Sequence, residues 1–539
     1  MSGRRIPQVS AGTRPMSRRD LLAALGFGAT AMVVVNGCAV PTPGSVPPPG
    51  VSDPAPFPDG VKAGDPHPEG AVIWTRVEAP PGGADVPVLW SVADDAAFTS
   101  VRAGGLAVAT AATGHTVTVP VSGLAADRWF AYRFETSGPE AAVSRTGRLR
   151  TAPAAGSSPD RLRFAFASCQ QINDSWFVAH RSAAAEADLD FFMHLGDYVY
   201  VSDAGTLTVG DYRDVYRRWH AQPLLRDLHA ALPVVAMWDD GEFYNEVDRA
   251  GPPGRLAAAK QAWFEHFPVV DPGERRLYRS VPWGGLADLA MIDVRSYRDP
   301  VTDSIVHTVP GPVDEPTRTT LGTTQMQWLR QGLDASTATW RLIGNQYPIS
   351  PWRLVNLEFL RAFRPDMAPN AGVYASNDAW DDYRVERRDL LQFLLDSGIS
   401  ETVFLSGQTH VYLAAELRPD PDAGGPTAAF DFCNGSLTAD PDPRRAFLGD
   451  LPRDLALDVL RLAEQWVLGQ NAGYLRHINL VDQGYTVVDV TPEEMLVTVR
   501  LVDTFDPAAG AVDGARFRLR PGSQRIELLP AAGAAGSFA

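Results

Sequence analysis

Six short apolar segments, each predicted to be a buried β-strand, run directly into polar residues of metal-binding type. The segments are Leu162–Ala167, Asp190–Leu195, Pro233–Trp238, Ala287–Asp293, Arg341–Gly344 and Thr402–Leu405. Helices are predicted at Tyr212–Trp219, Leu256–Phe267 and Asp382–Asp396, and closing strands at Ile478–Val481, Tyr485–Val490 and Met495–Val502. This alternation predicts one α/β domain over residues 154–520, with ligands bound where the carboxyl ends of strands meet loops.

The polar residues at these strand ends belong to the types that bind metal ions. They are Cys169, Asp197, Tyr200, Asp240, Asn345 and His410. One metal site at one edge explains the pattern better than six coincidences do. Structural roles are expected for some neighbouring residues. One of Asp239 and Asp240 is expected to brace its loop or a helix N-terminus, with Asp240 favoured as the ligand, and Tyr198 and His194 are expected to be structural.

The ligand types restrict the metal. Carboxylates and a phenolate are hard oxygen donors that suit Ca²⁺, Mg²⁺, Mn²⁺ or Fe³⁺. A thiolate beside them indicates at least one transition metal, and iron next to a calcium-like ion fits this mixture. A closed zinc site would require more His and Cys than this chain offers.

The region before Pro153 has a different pattern. Residues 57–153 contain short strands rich in β-branched and aromatic residues, separated by Asp, Gly and Pro clusters. This pattern predicts a small fibronectin type III-like β-sandwich with no catalytic residues, preceded by a Pro-rich linker over residues 40–56. At the other end, residues 521–539 are rich in Gly and Ala and are predicted to form a flexible tail.

The first 39 residues resemble a targeting segment. Arg18 and Arg19 precede an uncharged apolar run, Leu21–Val35, which is the twin-arginine export pattern. A run of about 15 residues is shorter than the roughly 20 needed to span a bilayer, so export to the cell envelope or the exterior is favoured over anchoring. Cys38 is either a lipidation site or part of an ordinary cleavage site. Cys169 and Cys433 either form one disulfide, or Cys169 is a metal ligand.

Charge and motifs exclude several other functions. The formal net charge of -16 disfavours general nucleic-acid binding. The two lysines, Lys62 and Lys260, lie outside any GxxxxGK[ST] pattern, which excludes a P-loop nucleotidase. The chain has no GxSxG elbow, which argues against a serine hydrolase of the α/β type.

Several longer motifs occur in a set order along the chain. They are Ser168-Cys169-Gln170, His194-Leu195-Gly196-Asp197-Tyr198-Val199-Tyr200, Trp238-Asp239-Asp240, Asp293-Val294-Arg295-Ser296-Tyr297-Arg298 and Ser406-Gly407-x-x-His410. Further matches are Asn345-Gln346, Asn377-Asp378-Ala379-Trp380 and, near the N-terminus, Gly60–Pro66 and Ile73–Arg76. This ordered set resembles the alkaline phosphatase D family of calcineurin-like metallophosphoesterases, over nearly the whole mature chain.

The resemblance implies a fold, cofactors and roles. The fold would be a sandwich of mixed β-sheets flanked by helices, and the cofactors one Fe³⁺ with one or two Ca²⁺ ions. Cys169, Asp197, Tyr200 and Asp240 would hold iron or bridge it to calcium. Gln408 would lie on the calcium side, and His410 would come from the segment that completes that side or contacts phosphate. Asp197, Asp240 and His410 would be catalytic, and Arg295 or Asn345 would contact a phosphate oxygen. The reaction would be hydrolysis of phosphate mono- or diesters by a metal-activated water.

Two residues depart from the family's usual pattern. Gly241 stands where His is usual, and Gln408 stands where Asp is usual. These two departures support the alternative of a non-catalytic envelope protein that binds phosphorylated ligands. A second alternative is a phospholipase D-like phosphodiesterase, because metallophosphoesterase sites can accept lipid head groups. The expected partner is a small-molecule or lipid phosphate ester, and the protein is expected to be a monomer.

Overall fold

The computed structural model describes residues 53–137, 141–201, 207–302, 306–375, 378–441, 443–444 and 448–530. The predicted leader, most of the predicted linker, and Asn377 lie outside these ranges. Within them, no helix is long and apolar enough to cross a membrane.

Twenty-four strands can be named in the described ranges. Seven precede residue 153: β1 (Val61–His67), β2 (Gly70–Arg76), β3 (Val86–Ala93), β4 (Val101–Ala109), β5 (Thr116–Val121), β6 (Trp129–Thr136) and β7 (Gly147–Arg150). The next seven are β8 (Leu162–Ala167), β9 (Phe191–His194), β10 (Val234–Ala236), β11 (Arg279–Trp283), β12 (Ala287–Met291), β13 (His307–Val309) and β14 (Trp340–Gly344). The last ten are β15 (Arg353–Asn356), β16 (Gly372–Tyr374), β17 (Thr402–Ser406), β18 (Tyr412–Leu417), β19 (Ala429–Cys433), β20 (Leu475–Asn479), β21 (Gly484–Val490), β22 (Met495–Leu501), β23 (Val512–Leu519) and β24 (Glu527–Leu529).

The helices lie between these strands. The α-helices are α1 (Val178–Ala184), α2 (Val209–His220), α3 (Pro223–Ala231), α4 (Pro253–His266), α5 (Gly322–Ala335), α6 (Arg384–Asp396) and α7 (Arg453–Gln470). Short 3₁₀ helices span Ala111–Thr113, Pro312–Asp314, Glu358–Ala362 and Trp380–Tyr383. Helix α2 begins with a capping box in which Thr208 and Asp211 satisfy each other's backbone amides.

Two large mixed sheets form the main layers. The first has the order β24-β23-β22-β21-β8-β9-β10-β1-β2-β5, and the second has the order β11-β12-β14-β17-β19-β18-β20. Buried aromatic side chains join the two sheets: the rings of Phe191 and Trp283 are 5.8 Å apart, and those of Phe432 and Phe517 are 5.5 Å apart. This packing is the predicted sandwich of mixed β-sheets flanked by helices, and the fold prediction is confirmed.

The N-terminal region is continuous with the first large sheet. Strands β3, β4, β6 and β7 form a separate four-stranded sheet, whereas β1, β2 and β5 extend the ten-stranded sheet. Strand β1 pairs in parallel with β10 through Gly64 and Val234. A β-carbon at Gly64 would lie 2.5 Å from the carbonyl oxygen of Val234, so this close approach requires glycine. The domain boundary near residue 153 stays a prediction.

Two expectations need correction. The six predicted site strands do not end at one edge of one sheet: β8, β9 and β10 belong to the ten-stranded sheet, and β12, β14 and β17 to the seven-stranded sheet. The predicted flexible tail is wrong for its first part, because β24 pairs with β23 and joins the sheet. Residues 531–539 lie outside the described ranges.

Candidate metal centre

The carboxyl ends of strands from both large sheets bring the predicted metal ligands together. One atom each of Cys169, Asp197 and His410 lie within 4.8 Å of one another, and all three side chains are buried. Cys169 Sγ lies 3.6 Å from Asp197 Oδ2. A second set within the same distance contains Asp197, Asp239 and Asp240. Asp197 belongs to both sets, so it lies where a ligand shared by two ions would be.

The backbone at the site is held in an unusual conformation. Cys169, Asp197, Gln408 and His410 have φ values of 63°, 55°, 68° and 52°. This left-handed region costs free energy for residues other than glycine, and such residues cluster at functional sites. At these positions the left-handed conformation turns the backbone sharply after a strand, so that the four side chains face one another.

His410 is oriented by a backbone carbonyl. Its Nδ1 lies 2.6 Å from the carbonyl oxygen of Asp440, and a carbonyl only accepts, so Nδ1 carries the proton. Nε2 is then the basic nitrogen, and it lies 3.3 Å from the hydroxyl oxygen of Tyr200. This tautomer leaves Nε2 suitable for a metal ion or for a proton.

Glu242 ties the two Asp-bearing loops together. Its Oε2 accepts hydrogen bonds from the backbone amides of Asp197 (3.1 Å) and Asp239 (2.8 Å). Its Oε1 accepts from the amide of Tyr198 at 2.7 Å. Sequence reasoning missed this role, because Asp197 and Tyr198 lie 45 and 44 positions before Glu242 in the sequence. Its place two residues after Asp240 was the one available signal.

The site concentrates acidic groups away from water. Burial, together with the charges of Asp240 and Glu242, raises the pKa of Asp197 well above its usual value. Burial also raises the pKa of Asp239 well above its usual value, and raises the pKa of Glu242 to about 8. Buried carboxylates whose pKa values are raised in this way are stabilised by binding either a proton or a cation.

The unsatisfied atoms indicate a cation. Asp239 Oδ2 and Gln408 Oε1 are buried oxygens with no hydrogen-bond partner among the described residues. Buried oxygens of this kind are costly unless a cation or a donor meets them. The donor set of one thiolate, one imidazole, several carboxylates and an adjacent phenol also fits a mixed metal centre. The residues therefore fit the implied ions.

Arg295 and Asn345, the predicted phosphate contacts, have protein partners here. Arg295 is fully buried and forms ion pairs with Asp239 and Asp378. Asn345 is also buried: its Oδ1 accepts from Trp380 Nε1 at 3.3 Å, and its amide donates to the carbonyl of Tyr347. Their substrate-binding role stays a prediction.

Three smaller predictions can be checked. His194 is buried, and its Nδ1 accepts from the amide of Gly196, which agrees with a structural role. The Tyr198 hydroxyl lies 2.9 Å from His229 Nε2, within the hydrophobic core. Cys169 and Cys433 are not bonded to each other, so the disulfide alternative is wrong.

Two models of known protein families match this chain. The family model for "PhoD-like phosphatase" matches residues 164–499, and that for "PhoD-like phosphatase, N-terminal domain" matches residues 45–153. Alkaline phosphatase D of Bacillus subtilis (strain 168) is 33% identical over 402 residues, which cover 68% of this chain and 66% of that protein. The alignment thus spans slightly less than two thirds of the relative's length.

Solved structures extend the comparison to the fold. A structure of PhoD superposes with a TM-score of 0.77 and 28% identity, and covers 89% of this chain and 93% of that chain. The purple acid phosphatase PPD1 from yellow lupin (Lupinus luteus) seeds has a TM-score of 0.52 at 10% identity, covering 86% of this chain and 73% of its own. The second likeness is one of fold alone.

Proposed function

Because this chain belongs to the PhoD-like phosphatase family, we propose that it is a metal-dependent phosphoesterase that hydrolyses phosphate mono- or diesters. The observation that carries the proposal is the pair of overlapping ligand sets that share Asp197. A centre with one shared carboxylate suits two ions that act on one phosphoryl group.

The residues around the centre divide into two groups. Cys169, Tyr200, Asp197 and Asp240 would hold Fe³⁺, and the last two would also face Ca²⁺. Gln408 would complete the calcium side, and His410, which lies with Cys169 and Asp197 in one ligand set, would act on the substrate beside the iron. When bound, the ions supply Lewis-acid chemistry, which neutralises phosphoryl charge and lowers the pKa of a water.

His410 is suited to move a proton. Its Nδ1 stays committed to the Asp440 carbonyl, so only Nε2 exchanges protons. Once Nε2 has taken up a proton from solvent, the imidazolium would give that proton to the leaving-group oxygen as the ester bond breaks. The Tyr200 hydroxyl, 3.3 Å away, limits the orientations of the ring.

Glu242 and the buried surroundings supply rigidity. The carboxylate of Glu242 keeps the loops after β9 and β10 at a constant separation through three amide hydrogen bonds. Burial of Cys169, Asp197 and Asp240 limits water to what the centre itself binds. A dry, preorganised centre strengthens every electrostatic contact to the substrate.

We also propose that the protein acts outside the cytoplasmic membrane, as a monomer. The support for this location is the paired Arg18 and Arg19 before the apolar run Leu21–Val35. Cys38, at the end of that run, is the residue that would carry a lipid anchor.

The test is metal content together with turnover. Protein purified without chelator would contain about one iron per chain with calcium, absorb visible light through its tyrosinate, and hydrolyse a chromogenic monoester or diester. Cys169→Ala and Asp197→Asn would lose both metal and turnover. Asp366→Asn, which changes an exposed carboxylate on the surface, is the control and would keep both. An intact protein with no stoichiometric metal and no turnover would overturn the proposal in favour of a binding protein.

A further inference from the structure

Two buried arginines beside the metal centre share a single carboxylate. The side chains of Arg295 and Arg298 are 0% exposed, and Nη1 of each donates to Oδ1 of Asp378. Arg295 Nη2 also donates to the other oxygen of Asp378, at 3.1 Å. Asp239 and Asp240 also pair with Arg295, whereas Asp378 pairs with both guanidinium groups.

Gln408 adds a third donor to the same carboxylate. Its Nε2 lies 2.9 Å from Asp378 Oδ2. In addition, Arg298 Nη2 is buried without a hydrogen-bond partner among the described residues. Four nitrogens of the described residues donate to Asp378, which fills the roughly four lone pairs of a carboxylate, so Arg298 Nη2 is left as a buried donor that an anion with more oxygens would meet.

This donor cluster lies next to the predicted metal ligands. Arg295 Nη1 is 3.7 Å from Asp240 Oδ2, and Gln408 Nε2 is 3.5 Å from Asp240 Oδ1. An anion held in place of Asp378 would thus lie at the side of the centre that Asp240 faces. The aromatic ring of Tyr347, 4.9 Å from the Arg295 guanidinium, keeps that arginine in position.

We propose that Arg295, Arg298 and the Gln408 amide form a binding site for the phosphoryl group of the substrate, and that Asp378 occupies this site until the substrate displaces it. The proposal rests on the proposed function and names its phosphate subsite. A phosphate monoester offers more oxygens and more charge than a carboxylate, so it competes well for two guanidinium groups. Asp378 keeps the arginines paired while the site holds no substrate, because an unpaired buried charge is costly.

The inference also accounts for Gln408. An aspartate at this position would bring a third carboxylate against Asp378 and Asp240, and the like charges would repel one another. The amide instead donates to both carboxylates through Nε2. In this chain the side chain at position 408 therefore serves the anion site as a donor, while its Oε1 remains available to a cation.

The competing explanation is that Asp378 only neutralises the two arginines. A matched pair elsewhere in the molecule separates the two cases. Arg353 and Asp422 form an ion pair whose side chains are 1% and 14% exposed, against 0% and 15% for Arg295 and Asp378. Asp422→Asn and Arg353→Lys thus repeat the change in buried charge without touching the proposed site.

The experiment measures binding of inorganic phosphate by thermal shift at constant ionic strength, on the purified full chain. Asp378→Asn is expected to lower the melting temperature without phosphate and to bind phosphate at least about tenfold more tightly than the unaltered protein. Asp422→Asn is expected to lower the melting temperature without any change in phosphate affinity. Unchanged or weaker phosphate binding by Asp378→Asn would overturn the inference.

Arg298→Lys decides the matter if Asp378→Asn does not fold. Lysine keeps the positive charge but lacks the planar guanidinium that binds an anion through two nitrogens. Phosphate binding should therefore weaken severalfold in Arg298→Lys, whereas Arg353→Lys should leave it unchanged. Equal phosphate affinity in Arg298→Lys and the unaltered protein would overturn the inference. Turnover of a phosphate ester, measured separately, tests the proposed function, so each hypothesis can fail without the other.

Discussion

The backbone amide of Gly241 donates a hydrogen bond of 2.9 Å to Asp197 Oδ1, and a β-carbon on Gly241 would lie 2.6 Å from that same oxygen. The same β-carbon would also lie 2.6 Å from the carbonyl oxygen of Val199. The histidine that the family usually carries here would therefore require Asp197 and the loop after β9 to move. Gly241 is thus part of how this chain positions its central carboxylate.

The first prediction concerns Gly241→Ala. The added methyl group should displace Asp197, lower the free energy of unfolding by about 1–3 kcal/mol and reduce the iron content. Gly332→Ala is the control, because a β-carbon at Gly332, in α5, meets nothing within 4 Å. The control should gain about 0.5–1 kcal/mol through lower backbone entropy in the unfolded chain. Thermal unfolding and metal analysis would measure both, and equal behaviour of the two variants would contradict the prediction.

The second prediction concerns Glu242→Gln. The backbone amides of Asp197, Tyr198 and Asp239 donate to the Glu242 carboxylate. The glutamine side chain would place its NH₂ group, which is also a donor, against one or more of them. Loss of these contacts should cost about 1–3 kcal/mol of unfolding free energy and loosen the metal ligands. Metal affinity by titration is the measurement. Normal metal affinity with reduced stability would mean that Glu242 braces the loops without tuning the centre.

The third prediction concerns pH in protein stripped of metal. Burial raises the pKa of Glu242 from 4.5 to about 8, so the folded state favours its protonated form. This contribution to stability is fully present below pH 4.5 and is lost as the pH rises to about 8. Asp197 and Asp239, whose pKa values are also raised, act in the same direction. Several buried histidines have lowered pKa values and oppose this effect below about pH 6.5. The melting temperature of chelated protein should therefore fall between about pH 6.5 and pH 8, and metal-loaded protein should show a smaller fall.

The fourth prediction concerns His410→Gln. Without a group that exchanges protons at Nε2, kcat should fall by about 10² to 10⁴, with a smaller change in KM. His477→Gln is the control, because His477 lies on β20 against Phe517, on a strand that carries no predicted ligand. Its kcat should be unchanged. A fall in kcat of His410→Gln that is fully restored by added calcium would assign His410 to metal binding instead of proton transfer.

Much of the fold was predictable because its signals are local. The strand prediction Leu162–Ala167 coincides with β8, and Thr402–Leu405 differs from β17 by one residue. Buried strands are recognisable as runs of apolar residues between polar ones, and this pattern needs no knowledge of neighbours. The helix that was predicted to begin at Tyr212 begins at Val209, because the capping box of Thr208 and Asp211 extends it by one turn.

The sequence by itself determined which residue types stand at the strand ends, because ligand chemistry belongs to the side chains of Cys169, Asp197, Asp240 and His410. Only the tertiary structure decided which of them meet. Two sheets, not one, contribute the ligands, and Glu242 and Asp378 join residues that are distant in the chain. How the two sheets pack against each other depends on side-chain packing throughout the core. The local sequence pattern of each core residue shows that it is buried but not which residues it contacts.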